Sequence, residues 1–368
     1  MRILAAMSGG VDSSVVAALL HEAGHEVIGV TLQLYDHGAA VGRKGACCAG
    51  QDIHDARRVA DALGIPHYVI DAEARFRSAV IGAFADDYAD GRTPVPCVRC
   101  NQHLKFGDLL TLAGDLGCEA MATGHYARRI DTPGGPELYR AADPARDQTW
   151  FLFATTRAQL ARTLFPLGGM PDKAAVRSAA ARLGLAVAAK PDSQDICFVP
   201  SGSYAEVVGK LRPDAIAPGE IVDAGGAVLG RHAGIAGYTV GQARRLGDAA
   251  APGRVVTAID APRRRLVVGP RATGARSVML RELNWLSEPG LRRCTVKLRA
   301  REAPQPALVT PCPDDPDGAE VLLDAPALAA PGQACVFYDG DRVLGGGFIM
   351  PQPTPAPPAG IARAAAGA

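Results

Sequence analysis

The sequence predicts an α/β protein: an N-terminal doubly wound parallel sheet, followed by a small central domain and a C-terminal β-barrel. Three observations lead there. Through residue 200, short apolar runs alternate with helical patterns, the βαβα rhythm of a parallel sheet. Past residue 200, Pro218-Gly219, Gly225-Gly226, Gly230 and Gly234 punctuate short segments. From about residue 276, strand-like runs recur at regular separation, which suits a small barrel. The divisions expected are 1–200, 201–275 and 276–350, with the Pro/Ala/Gly-rich 351–368 as a disordered tail.

In chain order, residues 3–7 read as a buried strand and 12–24 as a helix stopped by Gly24. A second strand covers 26–34, a helix 52–63 ends at Gly64, and a strand follows at 67–71. Helices are expected over about 73–90 and 102–116, then a short strand at 119–123 before Gly124-His125-Tyr126. A helix at 172–184, with Asp172 near its start and Gly184 after it, completes the first domain. Later strands fall at 293–300, 319–323, 333–338 and 343–350. In a sheet of the first kind, ligands bind at the carboxyl ends of the strands.

Composition narrows the class. Hydrophobic residues make up 48 % of 368 residues, yet no apolar run reaches the ~18–20 residues of a membrane span. Met1-Arg2 enters the first strand at once, leaving no room for a signal peptide. Nine cysteines without a compact disulfide framework fit a cytoplasmic chain with a few reactive thiols. Net charge is only +1, but residues 254–301 hold twelve Arg/Lys against three acids, a candidate footprint for a phosphate backbone.

Two constellations carry chemistry. Ser8-Gly9-Gly10-Val11-Asp12-Ser13-Ser14 lies between the first strand and the first helix. Free backbone N–H groups and the helix dipole favour an anion there, the glycines allow close approach, and the hydroxyls add donors. A Walker loop needs a lysine that is absent here. The stretch instead resembles the pyrophosphate loop of enzymes that split ATP to AMP and pyrophosphate. The second constellation is Cys97-Val98-Arg99-Cys100, framed by Pro94 and Pro96 and placed before a helix. Alone, such a pair reads as a redox couple or half a zinc site. Cys197 lies far along the chain in Asp192-Ser193-Gln194-Asp195-Ile196-Cys197. The adjacent Cys47 and Cys48 suit chelation poorly, and Cys118, Cys294, Cys312 and Cys335 read as packing or incidental surface residues. His125 reads as a structural histidine, while Lys105 suits either a phosphate or a snorkelling role.

Together SGGVDSS, GRTPVPCVRCNQHLKF, ATGHYAR, DQTWFL, KPDSQDICFV and the late GGGFI resemble the bacterial tRNA-specific 2-thiouridylases across roughly residues 1–350. The resemblance implies a pyrophosphate-loop fold of the adenine nucleotide alpha hydrolase type. It implies thiolation of the wobble uridine of Glu, Gln and Lys tRNAs, with ATP (and Mg2+) to adenylate the C2 oxygen. Ala6, Met7, Ser8, Gly9, Gly10, Val11, Asp12, Ser13, Leu34 and Gly124 would bind ATP. Cys197 would carry sulfur as a persulfide from a sulfur-relay protein or a cysteine desulfurase, and Cys100 would be the nucleophile, ending as a Cys100–Cys197 disulfide. Val95, Pro96 and Cys97 would meet the target base; Arg146, Asp147, Gln148, Arg299 and Arg301 would contact tRNA. No resident metal and no organic prosthetic group are implied. A three-cysteine [4Fe–4S] site on Cys97, Cys100 and Cys197, as in related tRNA thiolases, is the competing mechanism. A small-metabolite ligase on the same loop is the alternative function, but it leaves the cysteines and the basic stretch without a purpose.

Overall fold

The computed structural model describes residues 1–34, 48–192, 196–199 and 204–351. Cys47, the side chain of Cys48, Ser193, Gln194, Asp195 and the 352–368 tail lie outside the described residues.

Five strands make the N-terminal sheet: β1 (Arg2–Ala6), β2 (Glu26–Gln33), β3 (His67–Asp71), β4 (Ala120–Ala122) and, beyond the hairpin β5 (Ala127–Thr132) and β6 (Gly135–Arg140), β7 (Thr163–Leu164). They are parallel, in the order β3-β2-β1-β4-β7. Both faces are covered, which is why β1 reads as an unbroken apolar run instead of an alternating one. Ile3 and Ala5 pack with α1 (Val11–Glu22), α2 (Cys48–Leu63) and α3 (Lys173–Arg182). Leu4 faces the opposite core with Trp150 and Phe153.

The central domain is a four-stranded sheet of β8 (Gly219–Val222), β9 (Val228–His232), β10 (Arg254–Asp260) and β11 (Arg265–Pro270), around its own cluster of Ile221, Leu246, Val256 and Leu266. The barrel follows: β12 (Ala275–Trp285), β13 (Arg292–Lys297), β14 (Gln305–Cys312), β15 (Asp315–Ala327), β16 (Ala334–Asp339) and β17 (Arg342–Ile349). Pairing runs β12-β15-β14-β13-β16-β17 and closes through β17 on β12, so no edge is left open in the ring. Two of these strands depart from the short, even runs expected. β12 has 11 residues and β15 has 13, each with a register shift where the ring bends. The β5–β6 hairpin, which no apolar alternation announces, attaches to the barrel through Arg342 opposite Tyr139. Among the described residues, no helix is long and apolar enough to cross a membrane.

The barrel is joined to the first domain by a polar and a steric seam. Asn284 donates to the carbonyls of Phe153 (2.6 Å) and Thr155 (3.0 Å), and Arg99 forks onto Glu282. The Gly345-Gly346-Gly347 run of β17 passes where two strands and Phe153 crowd together. A methyl on Gly346 would stand 2.7 Å from the Cys335 carbonyl and 2.8 Å from the Phe153 ring. Gly346→Ala should therefore cost about 1–3 kcal/mol by overpacking, read as a lower denaturation midpoint. Gly169→Ala, whose added methyl meets nothing within 4 Å, is the control and should leave the midpoint in place.

Candidate active site

Strand order reverses between β1 and β4, the switch point where a doubly wound sheet opens a crevice. A cleft of about 260 Å³ lies there, lined by Ala6, Met7, Ser8, Asp12, Ser13, Leu34 and Gly124, and on its other wall by Cys100, Lys105, His125 and Gln148. The loop between β1 and α1 is held open by its own hydroxyls. Ser13 Oγ accepts from Ser8 N–H (3.0 Å) and lies 3.2 Å from Ser8 Oγ, while Ser14 Oγ donates to the Gly10 carbonyl. Gly9 has φ +75°, and a Cβ there would strike the Asp52 carbonyl, so the first glycine is required both by conformation and by space. Gly10 caps α1 without a side-chain bond, and Val11 turns its side chain into the core, leaving backbone N–H groups for an anion.

Asp12 is held from two sides. Lys173 Nζ reaches its two oxygens at 2.7 and 2.8 Å, and the Tyr126 hydroxyl donates to it at 2.7 Å. Lys173 also pairs with Asp192 (2.8 Å), which Arg146 (2.8 Å) and Arg177 (3.4 Å) share. Burial alone would raise Asp192, but Lys173 and Arg146 hold it below the usual carboxylate range. Lys190 completes the frame by bonding Asp52, Asp55 and the Gly9 carbonyl, which ties α2 to the loop. Lys173, Lys190 and Tyr126 were not singled out from the sequence. A signal was present: an arginine-rich chain has only six lysines, and three of them, with Lys105, stand here.

Cys100 ends the short helix Pro96–Cys100, which continues into a π-helical segment, Asn101–Leu109. Bonding of i to i+5 brings residues five apart toward one face, so Lys105 stands on the side of Cys100; a 3.6-residue turn would separate them. Cys100 is buried, whereas Cys97 is exposed. Phe198 packs edge-on against Phe76 (5.7 Å) and Phe84 (5.2 Å), anchoring the stretch after Cys197 beside the Cys100 cluster. Cys197 comes close enough that the charges of Cys100 and Cys97 oppose its ionisation: burial first, then those neighbours, push its thiol up to about 12. The surrounding protein likewise disfavours the thiolates of Cys97 and Cys100, although Cys97 and Cys197 both keep solvent contact, and Lys105 pulls all three back toward the thiolate. His125 is half-buried between Phe106 and Phe165 with Nδ1 2.9 Å from Thr123 Oγ1, and desolvation by its neighbours drives its pKa well down, so it is a neutral wall residue.

Other expected residues are placed differently. The side chains of Val95 and Pro96 are buried, Val95 within the main core, so of that trio only Cys97 faces outward. Asp147 accepts from Thr149 N–H and from Ala141 N–H, and Gln148 Oε1 accepts from Tyr126 N–H, so both shape the loop beside the cleft. Arg299 donates to the Val240 carbonyl (2.9 Å) and pairs with Glu302, while Arg301 is exposed. Several arginines of the 254–301 cluster are matched by acids outside it: Arg265 by Glu220 and Arg293 by Asp324. The described residues include no group of three His, Cys, Asp or Glu side chains placed to hold a metal. Asp12, the carboxylate of the loop, is held by Lys173 and Tyr126.

Known proteins resemble this chain along its length. The family model described as the tRNA methyl transferase HUP domain matches residues 1–201, its PRC-barrel domain 206–270, and the aminomethyltransferase beta-barrel domain 275–349. The tRNA-specific 2-thiouridylase of Acidiphilium cryptum is 72% identical over 352 residues, 95% of this chain and 100% of that one. That of Gluconobacter oxydans is 65% identical over 359 residues, 95% and 99% of the two chains. Among solved structures, a 4-thiouridine synthetase–RNA complex with bound ATP is similar at TM-score 0.34 and 14% identity, over 58% of this chain and 50% of that one. The NMN synthetase of Francisella tularensis is similar at 0.33 and 18%, over 58% and 76%.

The thiol environment has a measurable sign. Burial disfavours the thiolate, so at pH 7.5 iodoacetamide should label Cys100 more slowly in the folded protein than in urea. The rate should climb as pH passes the ordinary thiol range. Lys105→Met should slow labelling further and Lys105→Arg restore it. Equal rates in folded and unfolded protein would contradict the assignment.

Proposed function

This chain belongs to the tRNA-specific 2-thiouridylase family, and from that premise we propose how its own residues thiolate tRNA. The enzyme is a tRNA sulfurtransferase that installs sulfur at C2 of uridine. The family-model descriptions speak of methyl transfer; three cysteines gathered beside an anion-binding loop are the equipment of sulfur transfer instead. Its target is the wobble uridine of Glu, Gln and Lys tRNAs, and ATP is the activating co-substrate.

The phosphates of ATP rest on the N–H groups and hydroxyls of Ser8–Ser13 and the start of α1, with Leu34 and Gly124 flanking the adenosine. The uracil O2 attacks the α-phosphorus and pyrophosphate leaves, so a poor leaving group becomes AMP. Lys173, by fixing Asp12, keeps the loop in this geometry before ATP arrives. Sulfur enters on Cys197 as a persulfide delivered by a relay protein or cysteine desulfurase. The terminal sulfur attacks C2 and AMP departs. Cys100 then attacks Sγ of Cys197, the S–S bond to the transferred sulfur breaks, and 2-thiouridine is released with a Cys100–Cys197 disulfide. A dithiol reductant supplies the two electrons that reopen it. Lys105 favours the charged sulfur at each of these steps.

Cys97 and backbone at Val95 and Pro96 meet the base. Arg146, Asp147 and Gln148 order the loop against which the anticodon arm rests. Arg301 grips backbone, and Arg299 orients the barrel against the central domain. One observation carries this reading: the phosphate loop and Cys100 line the same cleft, with Cys197 in electrostatic reach.

Mass spectrometry of wobble uridine tests it. With ATP, a persulfide donor and tRNA, the protein should form 2-thiouridine, and Cys197→Ser or Cys100→Ser should lower product at least about a hundredfold while still releasing pyrophosphate. No 2-thiouridine from the unaltered protein, or undiminished product from Cys197→Ser, would reject the mechanism. Iron and acid-labile sulfide tracking activity in anaerobically purified protein would favour the cluster instead.

A further inference from the structure

A second cavity, about 360 Å³, lies between the β5–β6 hairpin, the loop before Thr149 and the barrel strand β13. Its wall holds three cations, Arg128, Arg140 and Lys297, and two carboxylates, Asp147 and Asp341. The charges do not cancel locally. Arg128 takes Asp341 at 3.1 Å. Asp147 is spent on the N–H groups of Ala141 and Thr149 and the Thr149 hydroxyl. Arg140 stacks over the Tyr338 ring at 4.0 Å, yet its Nε and Nη2 are buried with no hydrogen-bond acceptor. Lys297 makes no direct ion pair among the described residues; burial lowers its pKa, Asp147 and Glu302 at longer range oppose that, and Arg140 beside it adds to it.

Buried guanidinium donors without acceptors are costly, and so is a half-buried ammonium with no carboxylate in direct contact. Such groups persist where a ligand completes them. One net positive charge and the unfilled guanidinium donors of Arg140 around one cavity call for an anion with several acceptor oxygens, which is the description of a phosphate. Position narrows the choice further. Asp147 borders this cavity and Gln148, the next residue, borders the cleft of the phosphate loop. A polynucleotide with one base in the cleft places a neighbouring phosphodiester within a residue's reach of it. The geometry points to Arg140 and Lys297 as a seat for one RNA backbone phosphate next to the target nucleotide, a site built by the first domain and the barrel together. The inference rests on the tRNA reading above.

Lys297→Met is the informative variant, because Arg140 also packs on Tyr338 and its loss could disturb the seam. Binding of unmodified substrate tRNA is measured against salt, with the melting temperature as the control. The variant should bind several-fold more weakly at low salt, and its slope of log K on log[salt] should be shallower by about 1. Lys297→Arg should restore both, with melting unchanged in each. If the unaltered protein binds and thiolates tRNA but Lys297→Met keeps its affinity and slope, the seat is wrong and the tRNA reading stands. If the unaltered protein does not bind tRNA at all, the underlying reading fails first. A third arm adds inorganic phosphate: a melting shift in the unaltered protein that Lys297→Met abolishes, with tRNA slopes identical, would mean a small-anion site and would overturn the RNA assignment.

Discussion

Asp12 is the residue on which the site depends. It sits at the start of α1, where a carboxylate beside an anion-binding loop would repel the phosphates the loop attracts. Lys173 neutralises it by reaching both its oxygens, and the same ammonium reaches Asp192. Arg146 and Arg177 close on Asp192 in turn. One chain of charges thus fixes the phosphate loop, the loop beside the cleft and Asp192 relative to one another. Removing the lysine would leave two carboxylates facing each other next to an incoming triphosphate, a loss larger than that of one ion pair.

The cysteines show a related economy. Burial of Cys100 disfavours its thiolate, while Cys97 and Cys197 keep solvent contact, which suits the proposed mechanism, where the nucleophile waits for both an activated base and a delivered sulfur. Lys105 opposes that effect of burial from within the π-helical segment, and the segment itself is clamped from the barrel side. Arg99 forks onto Glu282, and Asn101 donates to the Phe151 carbonyl. The barrel therefore acts as the back wall of the helix that carries Cys100, and the core that contains Leu4 of β1 continues without a break to Phe348 of β17.

Charge usage separates two jobs. Many arginines of the basic stretch are structural: they cap carbonyls, cross-link strands or meet acids from other segments, as Arg254, Arg265, Arg293 and Arg299 do. A count along the sequence overstates the free charge there, since the neutralising partners come from elsewhere in the chain. The lysines, few as they are, concentrate at the phosphate loop, the thiols and the second cavity. An ammonium is a compact point charge that can serve several oxygens at once, as Lys173 and Lys190 do here.

The sequence by itself determined the βα rhythm of the first domain, the anion-binding loop and the family. Each of these is written in local pattern: an apolar strand, two glycines, a hydroxyl-rich helix start, and motifs in a fixed order. The positions 67–71 for the third strand and 172–184 around α3 were legible because caps and glycine stops are short-range chemistry. The β5–β6 hairpin and the 13-residue β15 were not, since their register is set by what they pair with across the molecule. Tertiary structure alone decided that Val95 and Pro96 point inward, that Arg299 is committed to Val240, and that Asp12, Lys173 and Asp192 form one chain. Those partners lie up to 161 positions apart in the sequence. A side chain's charge is local, but the counter-ion that gives it a role is found only after the chain has folded.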